Sequence, residues 1–552
     1  MRYNAKFTLT LPEGPVSEQR KTWSTYKRAD AAELAGPWDT IVIGSGIGGL
    51  AAAALLAKHD GQRVLVLERH YTAGGYTHVF HRPGFEWDVG VHYIGGLSEG
   101  AFLERLFAEI TDGSLQWADM GEVYDRAVIG DEVFDFPKGK GALREALRTR
   151  FPDEHAAIDG YFDAIRRVQR SSMMFYAEKI VPKPIGFLLG GLMRRKLLAE
   201  SDRTTAEVLD GLTRNPLLKA VLTTQFGDYG LPPKQSSFAI HAMVASHYFQ
   251  GGWYPVGGSA RIAESVVPLI EARGGKVLVA AEVASIVLEN GRAVGVKMAA
   301  DGKELRAGRV VSDAGVGLTL GALLPEAGRA AVGAQDRLRT VRPSASHVSL
   351  YLGLDRTAED LRLPKHNYWV YPHADYDKAL ADAAQDSEAP LPLAYISFPS
   401  AKDPDFQRRH PGKATIEVVT VAPWSWFARW DGSKWHKRGE EYEALKARLA
   451  ARMRATLERF EPQVAPHIVH AELSTPLSTK HFAAYEHGEI YGIDHTPERF
   501  RQRWLKPRTA VPGLWLTGQD IATCGVAGAM VGGILCASDM LGRNLMKTLR
   551  PT

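Results

Sequence analysis

Apolar and polar positions change period several times along the chain, and the changes divide it into elements. Ile41-Val42-Ile43 is a short β-branched run that stops at glycine, the pattern of a buried parallel strand. Residues 50–58 are rich in Ala and Leu and predict a helix, and 63–67 predict a second parallel strand. From about 111 to 254 the period turns mostly helical, with candidates at 141–150, 154–169 and 205–212. Residues 226–249 mix aromatic, histidine and apolar positions, including His241, His247 and Tyr248. They predict a helix along a large apolar pocket, or simply a buried one. An amphipathic helix over 260–273 ends at Gly274-Gly275. After it, 276–288, 293–298 and 304–311 predict a three-stranded antiparallel meander, with turns at Asn290-Gly291 and Asp301-Gly302. Between 345 and 421 several runs alternate with period two and imply a half-buried antiparallel sheet. A helix over 440–460 stops before Pro462. Leu514-Trp515-Leu516 then leads into a Gly/Ala-rich helix over about 527–541.

The densest chemistry lies between the first two strands. Gly44-Ser45-Gly46-Ile47-Gly48-Gly49 has G-x-G-x-x-G spacing at Gly44, Gly46 and Gly49. Gly44 permits the tight turn, Gly46 lets the backbone approach a pyrophosphate, and Gly49 lets helix and sheet pack closely. Glu68 ends the second strand, where a carboxylate accepts adenosine ribose hydroxyls. A lone glycine pattern is weak, but strand, helix, strand and terminal acid together point to a bound dinucleotide. Gly74-Gly75 beyond Glu68 is similar to the extended signature of FAD-binding two-domain flavoproteins.

The 552 residues exceed what one core organises, and two interleaved domains are expected. Hydrophobic residues make up 45% and charged residues 24%, the balance of a folded globular chain. A net charge of +4 gives no nucleic-acid-binding excess. Cys524 and Cys536 lack partners at metal-ligand spacing, so neither a metal site nor a disulfide framework is expected. No secretory signal is visible, and the best approach to a spanning segment, 185–193, is far too short to cross a bilayer. A cytoplasmic protein is the expectation.

With these pieces in place, the chain from Trp38 onward resembles the retinol saturase branch of the carotenoid isomerase and phytoene desaturase flavoproteins. The resemblance rests on 43–75, 87–95, 253–259, 311–315, 398–404 and 516–525. In desaturases the place of His92-Tyr93 looks like small or hydroxyl residues, which favours the saturase branch. The resemblance implies an α/β fold, with a Rossmann-like FAD-binding domain and an interleaved α+β substrate domain. The FAD domain would take 37–110, 255–330 and 500–552, and the substrate domain 111–254 and 331–499, after an N-terminal arm at 1–36. FAD would be held by Gly44, Ser45, Gly46, Gly49, Glu68, Arg69, Gly74, Gly75, Val283, Gly518, Asp520 and Gly525. Gln519 stands where many such enzymes place an acid, which leaves Asp520 as the candidate partner.

The implied chemistry is reduction of a carbon–carbon double bond in a hydrophobic polyene or lipid, with Tyr93 and His92 as candidate proton donors and packing as the alternative for both. NAD(P)H is the candidate electron donor. A desaturase or isomerase on the same scaffold remains open, as does a non-catalytic flavin-containing lipid carrier. An apolar substrate requires contact with a membrane surface. Residues 184–196 have the composition for it, with Ile185, Phe187, Leu188, Leu189, Leu192 and Met193 beside Lys183, Arg194, Arg195 and Lys196. A buried helix is the competing reading of that segment.

Overall fold

The computed structural model describes residues 20–29, 34, 36–181, 183–435 and 437–549. Most of the expected N-terminal arm, and the side chains of Lys183, Ile185 and Phe187, lie outside the described residues.

The fully buried Ile41 and Val42 place the strand Trp38–Ile43 in the middle of a seven-stranded sheet. It runs parallel to Val64–Leu67 on one side and to Glu304–Ser312 on the other. Lys276–Leu278 and Leu514–Leu516 extend this parallel region outward. Glu304–Ser312 serves two pairings in succession. Its first residues run antiparallel to Arg292–Met298, and from Ala307 it turns parallel to Trp38–Ile43.

The stretch 276–288, expected as one strand of a meander, is two. Ala280 adopts a left-handed φ of 49°, costly for a residue with a Cβ, and its amide donates to His70 O while that of Ala281 donates to Glu68 O. These bonds turn the chain at the end of the second strand. Lys276–Leu278 therefore joins the parallel sheet, and Val283–Glu289 alone begins the meander.

Helices Ile47–Asp60 and Gly525–Leu541 pack tightly against each other. The closeness depends on small residues, since a Cβ on Gly533 would lie 2.7 Å from both Ala51 Cβ and Gly48 O.

The second seven-stranded sheet runs in the order Ile468–Ser474, His347–Leu354, Ala414–Val421, Ala394–Ser397, Asn367–Tyr371, Val123–Ile129 and Glu132–Pro137. Alternate residues of these strands enter different cores. Val128, Val370 and Ile396 face the helix Glu440–Phe460, whereas Ala127, Trp369 and Tyr395 meet a helical layer that includes His155–Glu178 and Phe238–His247. The hairpin Val123–Ile129/Glu132–Pro137 falls in the region expected to be mostly helical, and its parallel pairing with Asn367–Tyr371 joins 111–254 to 331–499 in one sheet.

A separate hairpin, Val79–Arg82/Phe85–Asp88, packs on the second sheet. Trp87 Nε1 donates to Leu352 O at 2.9 Å, and a Cβ on Gly353 would lie 2.7 Å from the Phe85 ring. The segment from Val89 to Ile94 leaves this hairpin and crosses between the sheets.

Candidate functional site

One cavity of about 1110 Å³ runs from the glycine turn of the first sheet to the inner face of the second. Its volume exceeds the ordinary range for a single small ligand and suits a dinucleotide with a second molecule beside it.

At the first end, Gly44, Gly46, Glu68, Arg69, Gly74, Gly75, Val283, Gly518, Asp520 and Gly525 all line the wall. Ser45 and Gly49 lie behind it. Ser45 donates from its amide and its hydroxyl to Glu68 Oε2, at 2.8 and 2.7 Å, and its Oγ accepts from Gly74 N. A Cβ on Gly49 would come 2.5 Å from Gly44 O, and one on Gly75 2.8 Å from Gly46 Cα. Glu68 Oε1 also accepts from His70 N. Three bonds use three of the roughly four acceptor positions of a carboxylate, which leaves one for a ribose hydroxyl rather than the two anticipated.

Asp313 closes the cradle beneath the helix N-terminus. Its Oδ2 sits 2.5 Å from where a Gly46 Cβ would be. Burial pushes its carboxyl up to about 8, against the pull of the Gly49 amide, and Glu68 and Asp520 push the same way. A protonated Asp313 places no second negative charge against a pyrophosphate. Asp520 is engaged on both oxygens, accepting from Val316 N at 2.8 Å and Ile493 N at 3.0 Å. Gln519 turns aside to Tyr485 and Ile490. Arg69 lies 3.3 Å from Glu282, next to Val283 on the cavity wall. The glycine-walled notch, the helix N-terminus and the remaining acceptor on Glu68 fit a dinucleotide.

The other end of the cavity is mostly apolar, with Ile240, Met243, Val244, Trp369, Leu393 and Val419 on its wall. His92 and Tyr93 also line the cavity, and each fronts a buried ionisable cluster.

Behind His92, Nδ1 lies 3.0 Å from Glu417 Oε2 but without hydrogen-bond alignment. Lys402 Nζ donates to His92 O at 2.9 Å, to Ser397 Oγ at 2.8 Å and to Asn367 Oδ1. Burial pushes Glu417 up and Lys402 down, and each opposes the other's shift. Burial also lowers His92 to about 3, with Lys402 adding to the effect, so the imidazole is neutral.

Behind Tyr93, its hydroxyl donates to Asp125 Oδ2 at 2.8 Å and lies 3.3 Å from Asp228 Oδ2. Asp125 is fully buried and also accepts from Gln225 Nε2 and Asn367 Nδ2. Burial raises it to about 6, moderated by these donors. Burial and then the neighbouring Asp125 raise Asp228 to about 8. Asp228 lines the cavity, and Tyr93 stacks on Tyr248 with centroids 4.3 Å apart.

Sequence reasoning missed Asp125, Asp228, Glu417 and Lys402. His241, on the stretch expected to run along an apolar pocket or to be buried, lies between the hydroxyls of Tyr161 and Tyr229 and does not line the cavity.

A glycine cradle for a dinucleotide, opening into an apolar chamber, defines a flavoprotein oxidoreductase. The chain belongs to the flavin-containing amine oxidoreductase family, whose model matches residues 47–541. It is 38% identical to the all-trans-retinol 13,14-reductase of Danio rerio, over 92% of this chain and 86% of that protein. It is 26% identical to the chloroplastic prolycopene isomerase of Arabidopsis thaliana, over 91% of this chain and 82% of that one. Among solved structures, cyclohexylamine oxidase from Brevibacterium oxydans shares the fold, with a TM-score of 0.58 at 17% identity over 93% of this chain and 100% of that one.

Proposed function

We propose that this chain is an FAD-dependent reductase of a carbon–carbon double bond in an apolar polyene such as a retinoid alcohol. The observation that carries this reading is the continuity of the cavity: the dinucleotide cradle and the apolar chamber are one space, and the ionisable side chains of His92, Tyr93 and Asp228 line it. The similarity to retinol 13,14-reductases supports the same substrate class. Gly44, Gly46, Gly74, Gly75, Gly518 and Gly525 would leave room for the cofactor, with Ser45 and Gly49 shaping the turn. Glu68 would accept a ribose hydroxyl, Arg69 and Val283 would border the adenosine, and Asp520 would brace the wall. When bound and reduced, FAD supplies a hydride equivalent. NAD(P)H is the proposed source of its electrons.

The chain itself must orient an alkene, exclude water and provide a proton. A neutral His92 is a poor donor, so the proton comes from the Tyr93 side of the chamber. Redox-neutral isomerisation is the second reading, favoured by the similarity to prolycopene isomerase.

Access from a bilayer completes the proposal. Leu188 and Leu192, on the helix Lys183–Ser201, are 78% and 68% exposed, and Met173 on the neighbouring helix is 60% exposed. Both helices pack on Phe238–His247, whose Ile240, Met243 and Val244 line the chamber. Among the described residues no helix is long and apolar enough to cross a membrane. Arg194, expected at the headgroup level, is instead buried and donates to Phe500 O, so among the described residues of this segment the exposed cations are Arg195 and Lys196.

The test is anaerobic. Photoreduced yellow protein mixed with all-trans polyene alcohol should regain oxidised flavin absorbance and yield a product two hydrogens heavier. A product of unchanged mass would select isomerisation, and no change in flavin or lipid would leave the carrier reading.

A further inference from the structure

We propose that Asp228 is the acid that protonates the substrate carbon, with Tyr93 and Asp125 behind it as positioning groups that keep its proton in place. This rests on the reductase reading and names the proton source within the same site.

Three observations place the proton. Tyr93 has one hydroxyl hydrogen, and its shorter contact sends that hydrogen to Asp125. Asp125 receives two further donors, Gln225 Nε2 at 2.8 Å and Asn367 Nδ2 at 2.9 Å, the surroundings of an ionised carboxylate. Asp228 then meets the acceptor side of the Tyr93 oxygen, and its carboxyl serves that contact by donating. Only the protonated form can do so. The other titratable groups facing Asp228 are the phenols of Tyr229, Tyr248, Tyr371, Tyr395 and Tyr491 and the Cys524 thiol, all held neutral by burial, and the hydrogen bond with Tyr248 only partly offsets the upward shift of Asp228. The surroundings thus hold one negative charge, on Asp125, which opposes a second on Asp228. Of the two carboxyls, Asp228 reaches the cavity.

The step balances. Reduced FAD, when bound, would supply a hydride equivalent, two electrons and one hydrogen, its own bond to that hydrogen breaking as a C–H bond forms at one alkene carbon. The π pair takes the Asp228 proton at the adjacent carbon, so the π bond and the Asp228 O–H bond break and a second C–H bond forms. The resulting carboxylate regains a proton from water once the product leaves.

Asp228→Asn keeps the shape and removes the acid, and Asp228→Glu restores it. In anaerobic stopped flow with photoreduced holoenzyme and all-trans polyene alcohol, Asp228→Asn should slow lipid-driven flavin oxidation at least about 100-fold. Flavin content should be unchanged, and Asp228→Glu should recover part of the rate. Wild-type oxidation should fall as pH rises through about 8, where Asp228 ionises. Asp125→Asn removes the charge that raises Asp228 and should move that limb to lower pH, a shift that packing alone would not produce. The infrared spectrum of the resting wild type near pH 7 should show a protonated carboxyl carbonyl band that Asp228→Asn lacks. An Asp228→Asn rate within threefold of wild type, an unmoved limb or no such band would each overturn the assignment. A wild type whose reduced flavin no polyene oxidises would overturn the parent reading, and this one with it.

Discussion

His92 and Tyr93 are neighbours in the chain, yet the clusters behind them differ in kind. Behind His92 the principal partners have opposite sign, Glu417 and Lys402, and whether the proton rests on one or the other their net charge is zero. Such a pair accommodates burial and keeps its proton internal. Behind Tyr93 both acids have the same sign and one phenol joins them. Two carboxyls that cannot both ionise retain a proton at neutral pH, and one of them faces the chamber. Opposite charges make a strut; like charges make a store of acid.

The contrast can be broken in several ways. The largest effect belongs to the strut. Lys402→Met removes the donor to His92 O, Ser397 and Asn367 and should destabilise the protein by about 3–5 kcal/mol in urea unfolding, with the double variant Lys402→Met/Glu417→Gln recovering much of the loss. Next comes Tyr93→Phe, which should slow lipid-driven flavin oxidation about 100-fold while leaving flavin reduction nearly unchanged. Equal, minor effects on both rates would reduce Tyr93 to packing.

A third test uses stability against pH. Asp228 near 8 keeps its proton where an unfolded Asp near ~3.9 has lost it, so this group's contribution falls as pH rises between those values, by about 1.4 kcal/mol per unit. His92 near 3 slopes the other way: the unfolded chain takes up the proton below ~6.5, and stability falls as pH drops toward 3. Subtracting the Asp228→Asn curve from wild type should isolate the first slope, and a His92→Asn curve the second. Last, His92→Asn should slow lipid-driven oxidation less than about tenfold. A larger loss than in Tyr93→Phe would reverse the comparison.

How much of this could be read beforehand varied with distance along the chain. The cradle was legible because its demands are local: Gly44, Gly46 and Gly49 occupy one turn, and Glu68 ends the adjacent strand. His92 and Tyr93 were found through neighbouring residues in a glycine-punctuated stretch. Asp125, Asp228, Lys402 and Glu417 come from four separate segments, and only the folded second sheet and its helical layer bring them together. A local signal existed for Asp228, one acid inside the aromatic run Phe226-Gly227-Asp228-Tyr229. The missed hairpin also had one, the two-residue loop Gly130-Asp131 between a Val/Ile-ending run and the aromatic run Val133-Phe134-Asp135-Phe136. Arg194 was misread because a cation beside leucines looks the same whether it meets a headgroup or, as here, the carbonyl of Phe500.

The wall of the cradle joins residues far apart in the sequence. Thr517 Oγ1 donates to Gly48 O across 469 residues, and Leu514–Leu516 completes the sheet that Trp38–Ile43 begins. At about 5–20 residues per second, the ribosome separates those halves by on the order of half a minute to a minute and a half. Throughout that interval the nascent first strands lack Leu514–Leu516, and the helix Ile47–Asp60 lacks its packing partner Gly525–Leu541. A premature stop before Leu514 would leave an incomplete sheet with an exposed apolar helix, so such alleles should yield aggregates for the proteolytic machinery rather than weak enzymes.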